Sequence, residues 1–532
     1  MYRILIERRE DKIMKVIKLF YVLYKIKLLS PLSIVQLIQS LFMHGMNLMA
    51  LLSFAAKKNK NKIAITDDIE IIDYQNLYNE SMKLAIYLHK NVQIDSSSNV
   101  AFLCKNHISL VKSIFATSRV GANLLFLNTE ISKHQLDGLL EAHHFDLLIY
   151  DEEFARLIEE STFKGSKMRS YHDHFPAVNT VNQIEANEVI HLSRSSSSKL
   201  TLFTSGTTGI PKKAVHKPSL LDYLNPFSSF IQRLKILNYQ TAYIATPIYH
   251  GYGIAVLLLF LTLGKKIIVR HNFQAEQACQ LIKDHQVEVV TVVPTMLQRM
   301  LEVNNHRLNS LKCIASGGAK LNEKLIIETF KALGPVLYNL YGTSEAGLNF
   351  IATPEDLTYS PTTIGRRIGG MEIKLLDSNM NEVEKGNVGQ FCIKNSWSMR
   401  TLKDGWIQTG DLGYQDQLGY YFLSGRIDDM VISGGINVYP LEVEQVLINH
   451  PEVVEVAIIG IDDEDFGQRL MAYVLPKRNS TITEKELFVW LRSRVMRHQL
   501  PREIKFIHEM PYTPLGKLDR NKLNKMYEEN RI

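Results

Sequence analysis

The 532-residue sequence predicts an α/β protein: a large N-terminal domain of two α/β subdomains and a β-rich subdomain, followed by a small α+β C-terminal domain. Three observations carry that expectation. From Ile63, short apolar runs of β type alternate with stretches of helical period, the rhythm of βαβ units. From Ile364 the pattern turns strand-rich, with turns at Gly389, Gly410 and Gly419. After Gly425 it changes again, to a compact α+β stretch. A composition of 45% hydrophobic and 22% charged residues is that of a globular chain, and the length exceeds one average core, so several packed units are expected.

Residues 1–60 stand apart as a basic, apolar extension. They hold eleven Lys or Arg against three acids, +8 within a formal total of +6, which leaves the remainder at −2 and gives no argument for nucleic-acid binding by the body. Residues 13–29 are apolar but interrupted by Lys15, Lys18, Lys25 and Lys27, too many charges for a spanning helix. The charges run through the apolar part with no small-residue cleavage site close behind, so the order of a signal peptide is absent too. Residues 31–56 are more continuously apolar, broken by Gln36, Gln39, His44 and Asn47. Two expectations stay open here: amphipathic helices within residues 1–56 lying on an anionic membrane surface, peripheral on its inner face, or helices packed on the body. Cys104, Cys279, Cys313 and Cys392 are far apart, which points to neither a zinc site nor a disulfide framework, and to a reducing, cytoplasmic compartment.

Along the first α/β unit, strands are expected at 99–103, 124–127 and 147–150, with a helix over 110–120. Residues 161–198 are polar and irregular and read as a loose connection. A β-type run at 199–203 then leads into Thr204-Ser205-Gly206-Thr207-Thr208-Gly209-Ile210-Pro211-Lys212. Gly206 and Gly209 let backbone N–H groups turn toward an anion, the hydroxyls of Ser205, Thr207 and Thr208 add donors, and Lys212 adds charge, so the loop suits phosphate. The spacing is not that of a P-loop NTPase. Taken alone, a Ser/Thr/Gly-rich surface turn is the plain alternative. The second unit follows, with strands at 241–245, 266–269 and 287–293 and helices at 274–285 and 322–333.

Downstream, Asn339-Leu340-Tyr341-Gly342-Thr343-Ser344-Glu345 combines an aromatic face, a glycine, two hydroxyls and a carboxylate, groups that suit a nucleotide with Mg²⁺, which prefers hard oxygen ligands. Then come Thr409-Gly410-Asp411, Gly425-Arg426-Ile427-Asp428-Asp429, Gly434-Gly435 and Gly516-Lys517.

In this order and spacing the motifs resemble those of the AMP-forming adenylate-forming enzymes, the superfamily of acyl-CoA synthetases, peptide-synthetase adenylation domains and beetle luciferase, over nearly everything from Ile63 to the C-terminus. The resemblance implies a large domain at 61–426 with the ATP and acyl sites, and a small mobile domain at 427–532 with the catalytic lysine. It implies that Thr204, Ser205, Gly206, Thr207, Thr208, Gly209 and Lys212 hold the β- and γ-phosphates. Glu345 would bind Mg²⁺ and Ser344 would meet the α-phosphate, beside Gly342 and Thr343. Gly317, Gly318 and Ala319 would line the adenine pocket, Tyr341 would stack on the base, and Asn339 would hydrogen-bond its amine. Asp411 and Arg426 would grip the ribose; the plain alternatives are a turn cap at Asp411 and an ion pair of Arg426 with Asp428 or Asp429. Asp428 would be the hinge about which the small domain rotates, bringing in Lys517 for adenylation and the Gly434-Gly435 face for the CoA tunnel. ATP and CoA are the implied co-substrates and Mg²⁺ the cofactor.

The segment Thr246-Pro247-Ile248-Tyr249-His250-Gly251-Tyr252-Gly253 matches the family's acyl-pocket motif and carries no acid. A buried substrate ammonium without a partner would be costly, so amino-acid substrates are disfavoured. His250 would sit beside the substrate carboxylate. The apolar run 254–261 could border an acyl tunnel or be a core helix. The stretches 431–442 and 466–470 are similar to those of bacterial fatty acyl-CoA synthetases, which makes a medium- or long-chain fatty acid the expected substrate; Lys213-Ala214 and Lys320 depart from the usual pattern without removing a catalytic group. The rivals are transfer to a carrier-protein phosphopantetheine, an aryl-acid CoA ligase, and a non-catalytic lipid-binding or membrane-scaffold protein. The joint presence of Lys517, Glu345, Asp411 and Arg426 argues against the last.

Overall fold

The computed structural model describes residues 21–22, 24–25, 30–173, 176–181, 192–195, 198–204, 212–216, 222–303, 305–398, 405–434, 436–513 and 518–529. Three sheets organise them. The first has the order Ser166–Arg169, Leu147–Tyr150, Asn99–Leu103, Asn123–Phe126, Leu200–Thr204 and Lys212–His216, parallel except for the last pair. Leu147–Tyr150 is buried at every position, as its unbroken apolar run requires of a parallel strand covered on both faces.

The second sheet has thirteen strands. Its centre is parallel and runs Leu337–Thr343, Cys313–Gly317, Val289–Val292, Thr241–Ile244, Lys266–Val269 and Ile63–Thr66. Beyond Leu337–Thr343 it continues antiparallel through Gly347–Ala352 and Thr363–Arg367 into the β-rich part, where Ile407–Gln415 pairs with Tyr421–Arg426. The third sheet belongs to the C-terminal unit and is built on the long hairpin Val453–Asp463 and Gly467–Pro476. The strand and helix positions expected for both α/β units are met within a few residues at their ends.

One expectation needs correction. The stretch 161–198 is not a loose connection throughout: Ser166–Arg169 is a sheet strand, and Leu192 to Ser195 is clamped. Arg119 donates to the carbonyls of Leu192 and Ser193 at 2.7 and 2.8 Å, and Asn47 Nδ2 donates to Ser195 Oγ at 2.8 Å. Composition hid this because the clamp is supplied from distant residues. Of the two placements left open for the N-terminal helices, helix Leu48–Asn59 takes the second: it is buried along most of its length and packs on helices Tyr74–Lys90, Ile108–Val120 and Gly251–Thr262. Helix Pro31–His44 lies antiparallel against it, with Ser40 and Ser53 hydroxyls 3.2 Å apart.

His44 closes that junction, its Nε2 lying 3.1 Å from Tyr78 Oη. Burial, then the positive charges of Arg119 and Lys57, push its pKa down from 6.5 to about 4. The folded imidazole therefore stays neutral where the unfolded one takes up a proton. Stability should fall as pH drops from about 6.5 to about 4 and be unaffected by this group above that window. Thermal melts across that range should show a smaller acid loss for His44→Gln than for wild type.

Candidate active site

Parallel strands place the chemistry at one edge. The segment 246–253 follows Thr241–Ile244, residues 317–319 close Cys313–Gly317, and Tyr341 to Glu345 end Leu337–Thr343, with Val289–Val292 between the first two. All are carboxyl ends of neighbouring parallel strands, the edge at which open α/β sheets bind ligands.

The acyl segment is braced from several sides. Asn106, buried after strand Asn99–Leu103, donates through Nδ2 to Thr246 O at 3.0 Å and accepts from Ile248 N at 2.7 Å. Thr246 and Thr291 hydroxyls lie 3.1 Å apart. A Cβ on Gly253 would stand 2.1 Å from Pro247 O, so only glycine lets the following helix start this close to the turn. Tyr252 donates to Ala315 O at 2.8 Å, which fastens the acyl segment to the strand that ends in Gly317. His250 is the half-buried N-cap of helix Gly251–Thr262, its ring 4.4 Å from that of Tyr249. The run 254–261 takes the core-helix alternative, with Ile254, Leu257 and Phe260 in the central cluster.

Asn106, which belongs to no motif in the sequence, holds the backbone of the expected acyl segment. Its signal is positional: a polar residue just past the carboxyl end of a parallel strand, in Cys104-Lys105-Asn106-His107. Asn106→Ala would leave a buried carbonyl and a buried N–H unpaired, at about 1–3 kcal/mol each. A lower melting temperature and a KM that rises for the acid more than for ATP are the expected results.

On the nucleotide side, Asp411 and Arg426 are cross-strand partners. Arg426 Nη1 donates to Asp411 Oδ1 at 3.0 Å and its Nη2 to Asp428 Oδ2 at 3.3 Å, so the Asp428 pair and the Asp411 pair coexist. Tyr341 donates its hydroxyl to Asp411 Oδ2, and its ring packs edge-on against Phe391. Burial, then the Asp411 charge, push the phenol well above its ordinary pKa, which keeps it a donor. Burial alone would lower the pKa of Arg426, but Asp411 and Asp428 outweigh it. Gly342 sits at a bulge where a Cβ would meet Gly347 O at 2.4 Å; close approach, rather than flexibility, explains this glycine. Asn339 is buried and donates to Thr363 O at 3.3 Å.

Ser344 and Glu345 occupy the turn after Thr343, whose hydroxyl accepts from Ala346 N at 3.0 Å. One carboxylate among hydroxyls is too few ligands for a protein cage but fits Mg²⁺, which keeps waters and phosphate oxygens in its shell. Ser205, Gly206, Thr207, Thr208, Gly209, Gly435 and Lys517 lie outside the described residues. Thr204 and Lys212 are paired in antiparallel strands of the first sheet, the two strand ends that flank residues 205–211. Gly434 donates its N–H to Phe466 O at 2.8 Å on the C-terminal unit.

The segments expected to meet nucleotide and acid thus share one strand edge, the arrangement an enzyme that handles an acid beside a nucleotide would need. The model of the AMP-binding enzyme family matches residues 52–402, and that of the AMP-binding enzyme C-terminal domain matches 442–517. The chain belongs to the AMP-binding enzyme family, as the motif resemblance implied. It is 29% identical to a 2-succinylbenzoate–CoA ligase of Bacillus licheniformis over 88% of this chain and 98% of that one. It is 27% identical to the fatty acid–[acyl-carrier-protein] ligase ScoC of Streptomyces coeruleorubidus, over 88% and 94%. The solved o-succinylbenzoate CoA synthetase of Bacillus subtilis, in complex with its acyl-adenylate intermediate, superposes with a TM-score of 0.78 at 25% identity, covering 89% of this chain and 97% of that one.

Proposed function

We infer that the protein is an AMP-forming acid–thiol ligase: it joins a carboxylic acid to ATP as acyl-AMP with release of pyrophosphate, then passes the acyl group to the thiol of CoA and releases AMP. The observation that carries this is the fastening of the acyl segment to the nucleotide edge through Tyr252 and Ala315. A carboxylate is already ionised near neutral pH, so attack on the α-phosphorus needs no general base; the obstacle is anion meeting anion. Lys517 would set an ammonium between the two, and Asp411 with Arg426 would hold the ribose so that the α-phosphate faces the acid. Mg²⁺ bound at Glu345 would neutralise phosphate charge when present. The CoA thiol would approach along the Gly434-Gly435 face after rotation about Asp428.

A medium- or long-chain fatty acid is the substrate we propose first, on the acid-free acyl segment and the likeness of 431–442 to fatty acyl-CoA synthetases. An aryl acid is the second, favoured by the 2-succinylbenzoate–CoA ligase relatives, and transfer to a carrier protein by the likeness to ScoC. AMP release from ATP and Mg²⁺ across acetate, octanoate, palmitate, benzoate, 2-succinylbenzoate and an amino acid, each with and without CoA, separates them. CoA-dependent release with octanoate or palmitate supports the first, release with an aromatic acid the second, and pyrophosphate exchange indifferent to CoA the carrier. Silence throughout would overturn the ligase.

A further inference from the structure

Helix Pro31–His44 is built inside out. Its buried residues are Ser33, Ser40 and His44, while Leu32, Val35, Ile38 and Phe42, with Met46 just beyond, are 68%, 49%, 59%, 65% and 67% exposed. At a hundred degrees per residue the two sets fall on opposite sides of the helix. Water is a poor solvent for such a row, and contiguous exposed apolar surface of this kind marks a contact face.

The charge around it points to what the face meets. Between Asp11 and Asp67 the sequence has nine lysines and no carboxylate. Because helices Pro31–His44 and Leu48–Asn59 are antiparallel, Lys58, Lys60 and Lys62, all exposed, sit near the Leu32 end of the row, while the Arg194 guanidinium lies 3.7 Å over the Phe42 ring near the other. Among the described residues no helix is long and apolar enough to cross a membrane. An apolar row flanked by cations, on a helix too short to span, is the chemistry of a headgroup boundary: side chains enter the acyl edge while lysines meet anionic phosphates.

We propose that the outer face of helix Pro31–His44 docks the protein on an anionic lipid surface. The face shares no residue with the active site, so the proposal stands or falls apart from the ligase activity.

Flotation of the full chain with phosphatidylcholine vesicles, with and without phosphatidylglycerol, tests it. About ten-fold more protein should float with the anionic vesicles, and high salt should reduce the difference. Ile38→Ser with Phe42→Ser should abolish flotation; Lys58→Glu with Lys60→Glu and Lys62→Glu, which leaves the apolar row intact, should weaken it about as strongly. Both variants should keep lipid-free AMP release. Failure to float with either vesicle, equal flotation with both, or an unaltered charge-reversed variant would overturn the proposal. So would light scattering that shows a dimer which Phe42→Ser splits into monomers, since a second copy would then cover the row.

Discussion

Lys517→Ala is expected to lower acyl-AMP formation by about a thousand-fold while leaving thioester formation from supplied acyl-AMP within a few-fold of wild type. The size follows from removing one preorganised charge from the site where negative charge gathers, typically worth about two to three orders of magnitude. The asymmetry follows if Lys517 moves with the C-terminal unit, as the motif resemblance implies. Asp519 N donates to Pro511 O at 2.9 Å and Tyr512 bridges Leu518, so residues 511–513 and 518–519 are held together as one base. Arg520 then pins that base to the C-terminal unit through Asp429 at 3.3 Å and Glu444 at 3.0 Å. We propose that Lys517 travels with the small domain. The contacts between units include Lys324 Nζ to Val453 O at 2.9 Å and Asn449 to Glu323 at 3.3 Å, polar links of a kind that a rotating domain can exchange. An enzyme that alternates needs the lysine in one arrangement and not in the other. Stopped-flow measurement of pyrophosphate release, beside AMP release from synthetic acyl-AMP and CoA, reads both halves; equal loss in the two would refute the alternating arrangement.

What the sequence made legible was whatever local pattern determines. The alternation of apolar runs and helical stretches gave the two α/β units, because a parallel strand covered on both faces is buried throughout and reads as a nearly unbroken apolar run, as Val289–Val292 does with Thr291 as its one polar residue. The Asp411 and Arg426 motifs were legible as members of one site, yet their adjacency depends on the pairing of Ile407–Gln415 with Tyr421–Arg426, which no spacing announces. Asn106 was illegible for a related reason: its two partners are some 140 residues downstream, and a lone asparagine carries no period. The inside-out helix is the reverse case. Its residues read as an apolar segment, but which side faces the body is decided by Ser40 meeting Ser53 and His44 meeting Tyr78, contacts between elements rather than within one.

Asp411→Ala should lower kcat/KM for ATP by about a hundred-fold, near 2.7 kcal/mol, through two losses at once. The ribose would lose its acceptor, and Tyr341 and Arg426 would lose the group that holds them: the Tyr341 hydroxyl donates to one carboxylate oxygen and Arg426 to the other. Arg426 would retain Asp428 alone, 3.3 Å away and on the segment assigned as the hinge, which would draw the guanidinium off the nucleotide edge. Asp411→Asn keeps an oxygen for one of the two donors and removes the charge, so it should fall between, at about ten-fold. A purely structural Asp411 would give the same ranking, and the sugar distinguishes the two. If the carboxylate accepts from the ribose hydroxyls, wild type should favour ATP over its 2′- and 3′-deoxy analogues by about ten-fold, and Asp411→Ala should lose that preference because the hydroxyls then have no partner to reward them. A variant that is slow yet keeps the wild-type ratio would move Asp411 from the substrate to the scaffold. The ribose grip would then have to be sought at Arg426 itself, where Arg426→Lys, which keeps the charge and removes the fork that bonds Asp411 and Asp428 together, should erase the preference instead.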